Sequence, residues 1–342
     1  MMKTRLRALV AAVSMITVAA PAFAADQVNL YSARKENLIL PLLDKFSEET
    51  GIEVNMVTGG ASELIARIRA EGRNTPADLL LTTDAGRLHV AEELDLLQPL
   101  ESETVNEAVP AHLRGSDNNW IGLSQRSRVI VYSKDRIDPA TLSTYEDLAD
   151  PKWKGKICVR SSDNIYNQSL LASMIAHDGV EKAQAWAEGV VANMARTPQG
   201  NDRAQVTAVA VGECDIALVN NYYIGNMIHS SDDAEVEAVS QIGVFYPNQE
   251  DRGAHMNVSG IGLTQYSRNK DNAIKLVEYL VSDEAQTWYA ETNHEYPVRA
   301  GVPVSETVGA WGYPFEQDEL PMSALGENNA EAVRIFDRAG WK

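Results

Sequence analysis

Two adjacent tyrosines, Tyr222 and Tyr223, are the residues of this chain whose type and spacing best suggest chemistry. They follow an apolar run at 214–219 and the pair Asn220-Asn221. Neighbouring residues inside a regular helix or strand point in different directions, but at the boundary of an element two phenol oxygens can approach one point. A phenolate is a hard, anionic oxygen ligand and suits a hard cation such as ferric iron. The alternative is that both tyrosines are half-buried core residues with hydrated hydroxyl groups.

Two further tyrosines occur in similar local settings. Tyr31 follows a short apolar segment at 28–30, and Tyr166 follows another at 157–160. In open α/β sheets, ligands bind outside the carboxyl ends of the strands. The three positions together therefore favour a metal site built from Tyr31, Tyr166, Tyr222 and Tyr223.

Strand-like and helix-like segments alternate along most of the chain. Apolar runs typical of strands are separated by segments with apolar residues at helical spacing; the predicted strands are 28–31, 52–57, 77–81, 155–160 and 214–220, and the predicted helices are 36–50, 61–71, 168–176, 180–195, 202–211, 269–281, 283–290 and 328–339. Such alternation predicts an α/β fold with a mainly parallel sheet covered by helices.

Two long, extended segments, 122–132 and 243–262, look like connections between two lobes. A chain of this length is more than one core usually supports, so two lobes with a ligand cleft between them are expected. We predict that the first lobe contains residues 25–124 and about 254–300. The second lobe is predicted to contain residues 125–253 and about 301–342.

Residues 1–24 have the pattern of a secretory signal peptide. A basic start at Lys3, Arg5 and Arg7 precedes an apolar segment, and Ala22-Phe23-Ala24 fits the rule for cleavage between small residues. No later segment approaches 18 apolar residues, so membrane insertion is not expected. The net charge of −18 argues against nucleic acid or an anionic membrane as a partner. We expect an exported, soluble protein.

The chain has two cysteines, Cys158 and Cys214, each in an apolar, strand-like run. A disulfide bond can persist in an exported protein, and it is reachable if the two strands are neighbours. Two buried free thiols are the alternative.

Sequence motifs of common enzymes are absent. The sequence contains no GxSxG, HExxH, GxxxxGK[ST], GxGxxG or CxxC pattern. We therefore expect a binding protein and not an enzyme.

Four segments in order along the chain resemble the periplasmic ferric-iron-binding proteins, the substrate-binding components of ABC importers. These segments are Tyr31-Ser32-Ala33-Arg34, 122–129, 164–170 and Asn220-Asn221-Tyr222-Tyr223. The resemblance implies the two-lobed fold of periplasmic binding proteins with two hinge crossings, a periplasmic location and a monomer. It also implies an ABC permease and its ATPase as partners.

The same resemblance implies the ligands. The tyrosine-rich subgroup of this family binds Fe(III) through one tyrosine near the N-terminus, one in the middle and an adjacent pair, which correspond here to Tyr31, Tyr166, Tyr222 and Tyr223. In the family, an arginine in the first crossing can hold a small anion such as carbonate, and Arg126 is the matching residue. Asn201 and Asn220 are further candidates to hold the anion or to support the ligands. A receptor of the same fold for another small solute, such as an oxyanion, a phosphonate or a polyamine, is the alternative.

Overall fold

The computed structural model describes residues 26–342, so the predicted signal peptide lies outside the described residues. Within this range the strands are β1 Gln27–Ser32, β2 Glu53–Thr58, β3 Leu79–Thr82, β4 Leu97–Gln98, β5 Trp120–Ser133, β6 Ile157–Cys158, β7 Ile216–Asn220, β8 Ile242–Phe245 and β9 Met256–Thr264. The helices are α1 Leu40–Thr50, α2 Ala61–Glu71, α3 Ala85–Glu93, α4 Glu103–Ala108, α5 Ile165–Asp178, α6 Val180–Asn193, α7 Asp202–Ala210, α8 Asn221–Ile228, α9 Asp233–Ser240, α10 Lys270–Leu280, α11 Asp283–Asn293, α12 Glu306–Gly309, α13 Ser323–Glu327 and α14 Asn329–Ala339.

The first lobe is built on the strand order β2-β1-β3-β9. Strand β1 pairs in parallel with β2 and β3, and a helix follows each of the three. The sequence predicted the helices after β1 and β2 but not α3, which follows β3. Helix α1 ends at Gly51, whose φ of 72° lies in the left-handed region that glycine adopts without strain. All three strands therefore present their carboxyl ends at one edge of the sheet.

Strand β5 is the first connection between the lobes. Its first part, Trp120–Ser127, pairs with β9, and its second part, Arg128–Ser133, pairs with β7 and β8. One strand thus belongs to both lobes, which agrees with the predicted crossing at 122–132. The second predicted crossing, 243–262, is not one continuous segment. Strand β8 ends at Phe245 and β9 begins at Met256, so a loop carries the chain between the lobes.

The second lobe holds its own apolar core around β5, β6 and β7. The C-terminal helix α14 packs on α5 and α6 and buries Ile335 and Phe336 there, as predicted for this helix. Helix α13 contacts α3 of the first lobe and α5 of the second. The exact residue bounds of the two lobes stay predictions.

A disulfide bond joins Cys158 of β6 to Cys214, which precedes the neighbouring strand β7. The Cα atoms are 5.9 Å apart, a usual separation for a disulfide. The bond is reachable because β6 and β7 pair in parallel, with Cys158 opposite Ala217.

Replacing both cysteines with alanine should lower the free energy of unfolding by about 4 kcal/mol, because the bond closes a long loop in the unfolded chain. The sequence separation of the two cysteines is 56 residues. Urea unfolding of the oxidised protein and of the Cys158→Ala/Cys214→Ala variant measures this difference. Equal unfolding free energies would show that the bond adds no stability.

Candidate metal centre

Tyr166, Tyr222 and Tyr223 each lie in the first turn of a helix. Tyr222 and Tyr223 follow directly on strand β7, at the start of α8. Tyr166 is the second residue of α5, and its backbone N–H donates to the side chain of the capping residue Asn164 at 3.2 Å. Tyr222 and Tyr223 thus come directly after a strand, as the sequence indicated, whereas Tyr166 lies eight residues beyond the end of β6.

The three phenol groups converge. The Tyr222 hydroxyl donates to the Tyr166 hydroxyl oxygen over 3.3 Å, and the ring centroids of Tyr222 and Tyr223 are 4.4 Å apart. All three line one cavity of about 260 Å³, and all three are partly exposed to solvent. This arrangement offers three oxygen ligands from one lobe to a single cation.

The opposite wall of the cavity comes from the first lobe. It consists of residues that follow β1 and β3 and of two residues near the connection between the lobes: Ala33, Arg34, Lys35, Asn37, Leu38, Thr83, Ser259 and Glu295. The cavity therefore lies between the lobes, at the edge where the strands of the first lobe end.

Cationic side chains outnumber anionic ones around the cavity. Arg34 is buried and forms an ion pair with Glu295, with 2.5 Å between Nη2 and Oε2. Lys35, Arg126 and Arg203 also line the cavity, and Arg203 pairs with Glu235 of α9. A cavity with this charge favours an anion, or a cation that arrives together with anionic ligands.

Among the cationic residues of the cavity, Arg126 is the one best suited to bind an anion. Its side chain is 2% exposed, and Nη1 donates to the Ser259 hydroxyl at 3.4 Å. Its Nε and Nη2 atoms are buried and have no hydrogen-bond partner within residues 26–342. Unsatisfied buried donors are costly, so a ligand oxygen that accepts from them would be favoured.

The electrostatic surroundings keep the phenol groups of Tyr222 and Tyr223 protonated in the absence of a metal. Burial and the neighbouring phenols raise the pKa of Tyr222 well above its usual value. Burial, with further contributions from Tyr166 and Asp202, raises the pKa of Tyr223 to about 12. A metal must therefore displace protons in order to bind here.

A buried ion-pair network lies next to the tyrosines. Asp202, the first residue of α7, is fully buried and accepts from Arg128 and from Arg160, each over 2.5 Å. The guanidinium groups of Arg126 and Arg160 each lie 5.7 Å from the centre of the Tyr166 ring. Tyr166 thus has two cations close to its ring, an arrangement that the sequence did not indicate.

The structure does not bring Tyr31 to the other three tyrosines. Tyr31 is still inside β1, and its ring lies on the face of the sheet under α2, with the Arg67 guanidinium 4.7 Å from the ring centre. Its hydroxyl donates to the Glu71 carboxylate at 3.2 Å. The residues after the end of β1, from Ala33 onward, reach the cavity instead.

Replacing Tyr31 with Phe should leave metal affinity within about twofold of wild type. The substitution removes only the hydrogen bond to Glu71, which should lower the unfolding free energy by about 1 kcal/mol. Titration and urea unfolding of Tyr31→Phe measure the two effects. A large loss of metal affinity in Tyr31→Phe would show that Tyr31 is a metal ligand.

The two asparagines that the sequence suggested make their hydrogen bonds outside the cavity. Asn201 is exposed and caps α7, where its side chain accepts from the Ala204 N–H at 3.1 Å. Asn220 is buried behind the tyrosine pair and accepts from Arg128 at 3.2 Å. Neither residue lines the cavity.

Conventional metal ligands are not clustered in the described part of the chain. Residues 26–342 contain no group of three or more His, Cys, Asp or Glu side chains placed to hold a metal ion. Within the same residues, no helix is both long and apolar enough to cross a membrane.

A family model described as "Bacterial extracellular solute-binding protein" matches residues 42–314. The chain belongs to this family. The family consists of binding proteins, which agrees with the expectation that the chain is not an enzyme.

Individual relatives of this solute-binding protein are named for iron. It is 49% identical over 317 residues to iron uptake protein A1 of Synechocystis, a match that covers 93% of this chain and 88% of the relative. It is 29% identical to the major ferric iron-binding protein of Neisseria meningitidis over the whole of both chains. The resemblance to the ferric-iron-binding proteins is thereby confirmed.

Solved structures confirm the α/β fold of two lobes. A Trichodesmium protein in complex with iron and citrate ligands matches with a TM-score of 0.89 and 48% identity, covering 92% of this chain and all of that one. Unliganded FutA2 from Synechocystis matches with a TM-score of 0.88 and 46% identity, covering 93% of this chain and all of that one.

Proposed function

We propose that this solute-binding protein captures ferric iron outside the cytoplasmic membrane and delivers it to an ABC permease. The observation that carries the proposal is the convergence of three phenol oxygens on one interlobe cavity, with two tyrosine hydroxyls 3.3 Å apart. Ferric iron is acidic enough to displace phenol protons, whereas Ca²⁺ and Mg²⁺ prefer carboxylate and carbonyl oxygens.

We assign Tyr166, Tyr222 and Tyr223 as the iron ligands. Three phenolates balance the charge of one ferric ion, so the cationic groups around the cavity remain available for an additional anion. Arg126, whose two buried nitrogens have no hydrogen-bond partner among the described residues, is the residue that would hold this anion. The anion is carbonate or a small carboxylate, and the Trichodesmium relative in complex with iron and citrate supports the latter.

The family and the relatives support a proposal for the cellular setting. One relative, from Serratia marcescens, is an Fe(3+)-binding periplasmic protein that is 28% identical over 97% of this chain. We propose a periplasmic location, a monomer, and a permease with its ATPase as partners. The predicted signal peptide at residues 1–24 supports export.

A receptor for a phosphonate or another oxyanion is the second candidate. Two nitrogens of Arg126 that have no partner in the described part of the chain favour it, as do the nearby Lys35 and Arg203. A putative 2-aminoethylphosphonate-binding periplasmic protein of Salmonella typhimurium is 26% identical over 77% of this chain.

Calorimetric titration of residues 25–342 separates the two candidates. The titrants are ferric nitrilotriacetate, 2-aminoethylphosphonate and inorganic phosphate, with gallium nitrilotriacetate as a redox-inert control of similar charge. We expect saturable uptake of ferric iron and of gallium, and no comparable heat from the two free oxyanions. Tight binding of 2-aminoethylphosphonate without uptake of either metal would establish the second candidate.

A further inference from the structure

The carboxylate of Asp84 joins the two lobes next to the tyrosine cluster. Asp84 is 1% exposed and caps α3 of the first lobe, where Oδ1 accepts from the Gly86 N–H at 2.8 Å. Its Oδ2 accepts from the Ser169 hydroxyl of the second lobe at 2.9 Å and from the Asn257 side chain at 2.8 Å. One buried carboxylate therefore connects a helix start of the first lobe, strand β9 and helix α5.

Ser169, which donates to Asp84, lies on the same helix as the proposed iron ligand Tyr166. Both residues lie on α5, three positions apart, so they are neighbours on one side of the first turn. Ser169 is fully buried, and Asp84 is the acceptor of its hydroxyl. The position of the start of α5 relative to the first lobe thus depends on this buried hydrogen bond between Ser169 and Asp84.

Arg126 connects the same carboxylate to the phenol groups electrostatically. Burial raises the pKa of Asp84, and the positive charge of Arg126 opposes that rise. Arg126 also faces the Tyr166 ring at 5.7 Å and lines the cavity. Asp84 from the first lobe and Tyr166 from the second are therefore both influenced by one arginine.

We infer that Asp84 and Ser169 form an interlobe latch that positions Tyr166 and sets how long the closed cleft retains its ferric ion. Both are positioning residues, since neither lines the cavity. The inference rests on the proposed function. Without the latch, the first turn of α5 is free to move away from the first lobe together with one of the three phenolates, and iron escapes faster.

A pair of serines on one helix provides the test. Ser169→Ala removes the hydroxyl that bonds to Asp84. Ser173→Ala, one turn further along α5, removes an equally buried hydroxyl that donates only to the Leu170 carbonyl oxygen of the same helix at 2.7 Å. We expect Ser169→Ala to lose iron to an excess of a competing chelator about tenfold faster than wild type, and Ser173→Ala to stay within about twofold. The melting temperatures of the iron-free proteins should fall by similar amounts.

A double-mutant cycle with Asp84→Asn tests whether the two residues act as one unit. The double variant should release iron no faster than the faster single variant, because both changes disrupt the same contact. Equal release rates for wild type and Ser169→Ala, or equal acceleration by Ser169→Ala and Ser173→Ala, would overturn the latch.

A failure of the proposed function would give a different experimental result. A wild-type protein that takes up no ferric iron contradicts the function, and the latch is then decided by small-angle X-ray scattering of the unliganded proteins. A larger radius of gyration for Ser169→Ala than for Ser173→Ala supports the latch, and equal radii overturn it.

Discussion

Replacing Tyr223 with Phe should lower the affinity for ferric iron about a thousandfold. Phenylalanine keeps the ring that packs against Tyr222, with centroids 4.4 Å apart, and removes only the oxygen. Loss of a group that merely supports a metal ligand typically costs 10–100-fold in affinity, and loss of a ligand itself should cost more. Tyr222→Phe and Tyr166→Phe should show losses of the same order. Competition against a chelator of known ferric affinity measures all three.

Tyr279→Phe is the matched control for these variants. Tyr279 lies on α10, away from the cavity, and its hydroxyl has no hydrogen-bond partner within residues 26–342. The affinity of the Tyr279→Phe variant for ferric iron should equal that of wild type within about twofold. If Tyr223→Phe also bound iron as wild type does, the phenol of Tyr223 could not be a ligand.

Acidification should release the iron steeply, with affinity falling about a thousandfold for each pH unit. The pKa of Tyr223 is raised to about 12 and that of Tyr222 lies well above its usual value, so both phenols carry protons at neutral pH. Each phenol that binds iron loses one proton and becomes a phenolate, so three such ligands give a proton stoichiometry of three. Because protons compete with the metal, affinity is higher at high pH and is lost as the pH falls.

Two measurements check this dependence. The affinity at several pH values, corrected for protonation of the competing chelator, gives the slope. The acid released on loading a weakly buffered sample gives the proton count directly, which should be about three per iron in wild type and about two in Tyr166→Phe. An affinity independent of pH would argue against phenolate ligands.

The sequence located three of the site's tyrosines because of where strands end. Tyr166, Tyr222 and Tyr223 follow their strands and occupy first helical turns, which the edge of a sheet presents to the cleft. Tyr31 precedes the last residue of β1, so alternation along the strand turns its side chain onto the face of the sheet, toward Glu71. The predicted strand ends at Tyr31 and β1 ends at Ser32, and a difference of one residue in the end of a strand is beyond what a short apolar run defines.

The charged groups around the site were harder to predict. Asp202 pairs with Arg128 and Arg160, which lie 74 and 42 residues away in sequence, and Asp84 meets Ser169 across 85 residues. Contacts of this kind leave no periodic pattern in a single sequence. Arg34 lay within a segment that resembled the family, but nothing local indicated its ion pair with Glu295.

The two-lobed fold was predictable because its signals are local and repeated. Strand and helix periodicities predicted the alternation around β1, β2 and β3 and the helix α2 with its observed bounds. The second crossing, 243–262, was predicted as one extended segment because its two β-rich parts are close in sequence. In the structure these parts pair with different portions of β5, which a local pattern does not reveal.

A visible absorption spectrum of residues 25–342 after ferric loading tests the central claim most directly. Fe(III) bound by phenolate gives a broad charge-transfer band, so we predict a coloured wild-type protein and a weakened band in Tyr223→Phe, with Tyr279→Phe unchanged. A wild-type protein that binds ferric iron without any such band, or whose band survives the loss of Tyr166, Tyr222 and Tyr223, would contradict iron capture by these three tyrosines.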